Sequence, residues 1–274
     1  MSGKVVSIVN RKGGVGKTTL TLALADTFVG ETEQPYDPAR PVVVAVDLDP
    51  QASLTRALLY DSSGPSEGGR LKAALDEGRT LASAIDDRLR RGQRRLEEYL
   101  THGVGPAGFT YSLLANEARA WDVERKGLRK PGEAKLKAAL TEVIDELARS
   151  YRYVLIDAPP GQTALAEAAI QRSDLLLCPI APDHLSFWGL ESFDEYLREL
   201  FGGSNSQPPA RFVFTKFKAS SMPMARAKSS AKPARAALAR LRACTIPQVT
   251  YLSRHAHFIG AISCASSPTL TPRP

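Results

Sequence analysis

From Val6 to Leu20 the chain reads V-S-I-V-N-R-K-G-G-V-G-K-T-T-L, an apolar strand running through a glycine-rich turn into a helix. Gly13, Gly14 and Gly16 have no Cβ, so the backbone curls tightly and turns its N–H groups toward a phosphate. The helix that opens near Lys17 adds the positive end of its dipole. Lys17 is then within reach of terminal phosphates, and the Thr18 hydroxyl is placed to coordinate Mg²⁺. Val15 and Thr19 complete the segment. A bare G-x-G carries little information, but this many specified positions directly after a strand mark a nucleotide site.

Along the chain, strand and helix patterns alternate as a parallel sheet requires. The runs 41–47, 153–157, 175–180 and 211–215 read as strands, the first three with the continuous apolar character of strands covered on both faces. A further strand is expected over 111–115. Helices are expected over 71–100, 135–150, 163–172 and 187–201, and the Gly-, Ser- and Pro-rich stretches 61–70 and 202–210 read as loops. The fold class is α/β, a three-layer arrangement with a mostly parallel central sheet flanked by helices. Residues 1–262 are expected to form one domain, and the Pro/Ser/Thr-rich residues 263–274 a disordered tail.

Charge is unevenly spread. Eleven of the 36 Lys and Arg, and none of the 29 Asp and Glu, lie from Leu200 onward. The first 199 residues therefore hold 25 basic against 29 acidic groups. Clustered cations without acids are the electrostatic footprint of a polyanion partner. The candidates are Arg211, Lys216, Lys218, Arg226, Lys228, Lys232, Arg235, Arg240, Arg242 and Arg254. Cys178, Cys244 and Cys264 lack paired spacing, which argues against zinc and disulfides. Cys178 reads as core, as do Trp121 and Trp188, and His102, His184, His255 and His257 lack ligand spacing. The first strand begins at the N-terminus, and no apolar run approaches the ~18–20 residues that span a bilayer, so a cytoplasmic location is expected.

Two acidic positions fall at the carboxyl ends of strands, where open α/β sheets bind ligands. In D-L-D-P-Q, strand alternation would put Asp47 and Asp49 on one side, near phosphates and metal. In L-I-D-A-P-P-G, Asp157 stands where a carboxylate holds a metal-bound water.

The ordinary phosphate-loop pattern G-x-x-x-x-G-K-[ST] requires glycine where this chain has Arg11, and a second lysine, Lys12, heads the loop. That K-G-G-x-G-K-T-T form resembles the deviant phosphate loop of the ParA/MinD class of ATPases. The segments D-L-D-P-Q-A-S-L-T, Y-V-L-I-D-A-P-P-G and P-I-A-P-D-H-L-S-F-W-G-L follow in the order of ParA-type partition ATPases, and the P-Q after Asp49 favours that branch over MinD. The resemblance implies that Lys12 crosses a dimer interface to the partner's nucleotide. It implies that Lys17 grips the β- and γ-phosphates, Thr18 binds Mg²⁺ and Thr19 assists. Asp49 is the first choice for positioning the hydrolytic water, with Asp47 nearer the metal, and the two assignments are interchangeable. It further implies an ATP-dependent homodimer that binds double-stranded DNA nonspecifically and a ParB-like adaptor that stimulates hydrolysis. No membrane partner is expected, since the tail does not read as an amphipathic helix with an apolar face.

The start of the chain leaves no room for a helix-turn-helix extension, and the tail does not read as the terminal helix usual in the class. Residues 61–132 match the pattern loosely. Two other functions share the loop: a phosphate-loop ligase of small-molecule metabolism resembling dethiobiotin synthetase or the cobyrinic acid amide synthases, and a MinD-like positioning ATPase.

Overall fold

The computed structural model describes residues 3–30, 42–60, 69–117, 132–181, 184–202, 207–215 and 250–251 of the chain. In order they form β1 (Lys4–Ile8), α1 (Lys17–Gly30), β2 (Val43–Asp47), α2 (Ser53–Leu59), α3 (Gly69–Asp76) and α4 (Leu81–Leu89). A short 3₁₀ turn at Leu96–Tyr99 precedes β3 (Thr101–Val104), β4 (Thr110–Leu114), α5 (Gly132–Ser150) and β5 (Tyr153–Asp157). Then come α6 (Ala164–Arg172), β6 (Leu175–Ile180), α7 (His184–Leu200), β7 (Ala210–Phe214) and β8 (Thr250–Tyr251).

The strands make one sheet in the order β3-β4-β2-β5-β1-β6-β7-β8. Every neighbouring pair is parallel except β3 with β4. Alternation along the strands divides the core into layers. Val5, Val44, Val46, Val154 and Ile156 pack against Leu81 and Ile85 of α4, Leu140 and Ile144 of α5, and Leu165 of α6. Val6, Ile8, Val43, Ala45 and Leu155 face the other way, onto Leu20 and Leu24 of α1 and Leu54 and Leu58 of α2. On the β6 side, Leu176, Cys178, Ile180 and Phe212 pack with Phe193, Tyr196 and Leu197 of α7. Central strands buried on both faces explain the unbroken apolar runs of the sequence.

Three expectations need correction. The stretch 71–100 is not one helix: α3 ends at Asp76, Gly78 turns the chain at φ +65°, and α4 restarts after Thr80. The expected loop 61–70 already enters α3 at Gly69, while residues 61–68 lie outside the described part. β3 was not anticipated. It is four residues long, contains a histidine and a glycine, and buries only Gly103.

Candidate functional site

The turn after β1 lies at the carboxyl edge of the sheet, between β5 and β6. Gly14 and Gly16 take φ +68° and +96°, conformations that L side chains rarely adopt. A Cβ placed on Gly13 would meet no atom within 4 Å beyond its own and the two adjoining residues, so that side of the turn has room for a ligand. Lys12, Gly13, Gly14 and Thr19 are exposed, whereas Val15 and Lys17 are buried.

The two lysines thus occupy different environments. The Lys17 ammonium lies within the turn, donating to the carbonyl oxygens of Asn10 and Lys12, each at 3.2 Å. Burial lowers its pKa, an effect that the nearby Asp157 and Asp49 carboxylates partly offset. Lys12 heads the turn at the surface; its backbone N–H donates to the Asn10 side chain at 2.8 Å.

Asp47 and Asp157 end neighbouring parallel strands and are paired in register. Both are buried, and their mutual repulsion adds to the cost of desolvation. Burial first, then Asp47, pushes Asp157 up to about 7. Burial likewise pushes Asp47 up to about 6. Asp157 accepts the Thr18 hydroxyl on one oxygen at 2.6 Å, while its other oxygen, Oδ1, is buried without a hydrogen-bond partner. Asp47 is held internally: the Thr55 N–H and hydroxyl donate to Oδ2 at 2.9 and 2.8 Å, and the Asp49 N–H donates to Oδ1 at 3.1 Å.

The alternation argument for Asp49 does not hold, because β2 stops at Asp47 and the chain turns through Ala52 at φ +54°. Asp49 is half-buried and accepts the Gln51 N–H at 2.9 Å. Its carboxylate is near enough to Lys17 to raise that ammonium's pKa.

This donor set fits a nucleotide with magnesium. A turn rich in positive-φ glycines, a buried ammonium and a helix start suit phosphate. A hydroxyl beside a buried carboxylate with an unpartnered oxygen suits a hard cation that takes its remaining ligands from phosphate and water. No group of three or more His, Cys, Asp or Glu suited to a metal occurs among the described residues, so an all-protein metal cage is not what the site offers.

Sequence reasoning missed three residues that shape the site. The Asn10 side chain accepts the Lys12 N–H and donates to the Pro179 carbonyl at 2.7 Å, tying the turn to β6. Thr55 holds Asp47, and its hydroxyl oxygen accepts the Asn116 N–H at 2.8 Å. Thr215 donates its hydroxyl to the Val15 carbonyl. Asn10, adjoining the glycine motif, and Thr55, the last residue of D-L-D-P-Q-A-S-L-T, both lie in segments that carry the resemblance, whereas Thr215 left no signal. Of the basic candidates, Arg211 lies on β7, whereas Lys216, Lys218, Arg226, Lys228, Lys232, Arg235, Arg240, Arg242 and Arg254 lie outside the described residues. So do Trp121, Cys244, Cys264, His255 and His257. Cys178 is buried as expected, and burial raises its thiol pKa. No helix among the described residues is long and apolar enough to cross a membrane.

The fold and turn together are those of the phosphate-loop NTPase fold class. The AAA domain family matches residues 3–207. A ParA family protein of Mycoplasma genitalium is 28% identical over 219 residues, spanning 77% of this chain and 71% of that one. Plasmid partition protein A of Escherichia coli is 29% identical over 203 residues, 72% of this chain and 46% of that one. Among solved structures, a plasmid partition protein of Borrelia burgdorferi superimposes with a TM-score of 0.63 at 16% identity, covering 93% of this chain and 91% of that one. The cobyrinic acid a,c-diamide synthase of Mycobacterium smegmatis, solved with ADP and magnesium, gives 0.58 at 20% identity over 89% and 82% of the two chains. The chain belongs to the ParA-type P-loop ATPases.

Proposed function

We propose that this protein is an ATP-dependent partitioning switch, with residues 1–262 acting as one ATPase domain. The observation that carries the reading is the division of labour between its two lysines: Lys17 is buried inside the turn and Lys12 is exposed at its head. In this reading Lys17 grips the β- and γ-phosphates, the backbone from Gly13 to Gly16 cradles them, and Thr19 supports them at the helix start. Lys12 reaches the nucleotide of a second subunit, so that ATP joins two copies. Thr18 and Asp157 hold Mg²⁺, which neutralises charge on the phosphates, and Asp47 braces that corner. Asp49, the least buried of the three carboxylates, orients the attacking water. Hydrolysis to ADP and phosphate then rests on positioning and charge neutralisation.

The dimer binds double-stranded DNA without sequence preference through the basic segment 211–254, by phosphate contacts. A ParB-like adaptor stimulates hydrolysis and links the cycle to a plasmid, chromosome or other cargo, in the cytoplasm on the nucleoid. The test is binding to unrelated duplex DNA with ATP, ADP or neither, across a salt series. The expected result is ATP-dependent, salt-sensitive binding that is lost in both Lys12→Ala and Lys17→Ala, with nucleotide affinity retained only in Lys12→Ala. Absence of DNA binding by the folded protein under every condition favours instead an ATP-dependent ligase, a reading kept alive by the fold shared with the cobyrinic acid synthase.

A further inference from the structure

Thr215 follows β7 and is buried with 8% of its surface exposed. Its N–H donates to the Ile180 carbonyl at 2.8 Å, continuing the β6–β7 register by one residue. Its hydroxyl donates to the carbonyl of Val15, 200 positions earlier, with the Ile180 carbonyl at 3.3 Å as a second acceptor. A Cβ on Gly16 would lie 3.6 Å from the Thr215 side chain, so this threonine sits directly against the turn.

A trans peptide points its C=O and N–H in opposite directions. With the Val15 carbonyl drawn toward Thr215, the Gly16 N–H of the same peptide is turned away from that residue. Sterics alone do not hold it there. Gly16 sits at φ +96°, and glycine adopts positive and negative φ about equally well, so the peptide between Val15 and Gly16 can flip at little steric cost. Other contacts of the turn act elsewhere. Asn10 fixes its first residues, and the Gly16 carbonyl is committed to the Leu20 N–H at 2.9 Å as the first bond of α1. We propose that Thr215 is a positioning residue for nucleotide: its hydroxyl, through the Val15 carbonyl, orients the Gly16 N–H toward the phosphates. The inference rests on the nucleotide-binding reading above and assigns that site a residue from the far strand of the sheet.

The experiment is equilibrium titration of MgATP and MgADP, with a fluorescent nucleotide reporter, into wild type, Thr215→Val and Thr215→Ser. Valine keeps the shape and removes the donor. The expected loss in Thr215→Val is about three- to tenfold in affinity for both nucleotides, the range of one net hydrogen bond. Serine, which keeps the hydroxyl, recovers most of it. KM for ATP rises by the same factor, more than kcat falls; simple loss of folded protein would reduce active sites and leave KM unchanged. Amide exchange at Gly16 in ¹⁵N-glycine-labelled wild type gives a readout that needs no variant. That amide should exchange freely in the nucleotide-free protein and become protected when MgADP binds. Wild-type affinity in Thr215→Val, or a Gly16 amide indifferent to bound nucleotide, overturns the positioning role alone. A folded wild type that binds neither nucleotide overturns the nucleotide reading with it.

Discussion

At the scale of single residues, the site holds two carboxylates in a place that disfavours their charge. Asp157 ionises near pH 3.8 in ordinary surroundings and near 7 in the folded chain. Between those values the folded state binds more protons than the unfolded one, so folding stability falls as pH rises through this window and levels off above it. Asparagine is neutral throughout and its carbonyl still accepts the Thr18 hydroxyl. Thermal melts without nucleotide should therefore show Asp157→Asn melting above wild type at pH 8, with the gain vanishing near pH 4. A tenfold change in proton affinity is worth ~1.4 kcal/mol, so a gain of at least about 3 °C is expected for a domain of this size. The same substitution should remove most ATP hydrolysis, measured as phosphate release, because a neutral amide is a poorer partner for magnesium. A wild type that outlasts the variant at pH 8 would mean that the buried pair is better compensated than its surroundings suggest.

At the scale of elements, caps decide where helices begin. Thr80 is fully buried; its hydroxyl oxygen accepts the Ser83 N–H at 3.2 Å as the cap of α4, and its hydroxyl donates to Glu117 at 2.9 Å. It also bridges to Ala115 just past β4, so one side chain joins helix start to strand end. Thr80→Ala should cost about 1–2 kcal/mol in urea unfolding, with Thr80→Ser close to wild type. That cap also explains the first break in the stretch 71–100, at Gly78 and Thr80; a second follows Leu89, where Arg91 takes φ +57° ahead of Gly92. β2, β5 and β6 were legible because strands buried on both faces need long apolar runs. β3 was hidden because its place depends on antiparallel pairing with β4, from Thr101 opposite Leu113 to Val104 opposite Thr110. The phosphate turn and Asp157 could be read because their chemistry demands particular residue types at fixed spacing. Thr215 could not, since it is an ordinary threonine whose partner Val15 lies 200 residues away. Thr55, though only 8 residues from Asp47 and inside a recognised segment, shows its role only once the chain folds back onto that carboxylate.

At the scale of the whole molecule, charge and topology set the remaining expectations. The acid-free end of the chain predicts that the logarithm of DNA affinity falls linearly with the logarithm of salt concentration. Pairwise replacement of Lys216, Lys218, Arg226 and Lys228 by glutamine should flatten that slope by roughly one for each phosphate no longer neutralised, irrespective of DNA sequence. The order of strands has a different consequence, one of timing. β1 emerges first in synthesis, yet its two neighbours are β5 and β6, and the turn that follows it is tied to Pro179 and Thr215. A nascent chain that ends at Ser150 thus carries the entire phosphate motif but neither strand that flanks it. Loop closure over such separations is slow, and the unpaired edges of β1 stay open to wrong partners meanwhile. The turn therefore gains its full set of flanking strands and tying contacts only once the chain has passed Thr215.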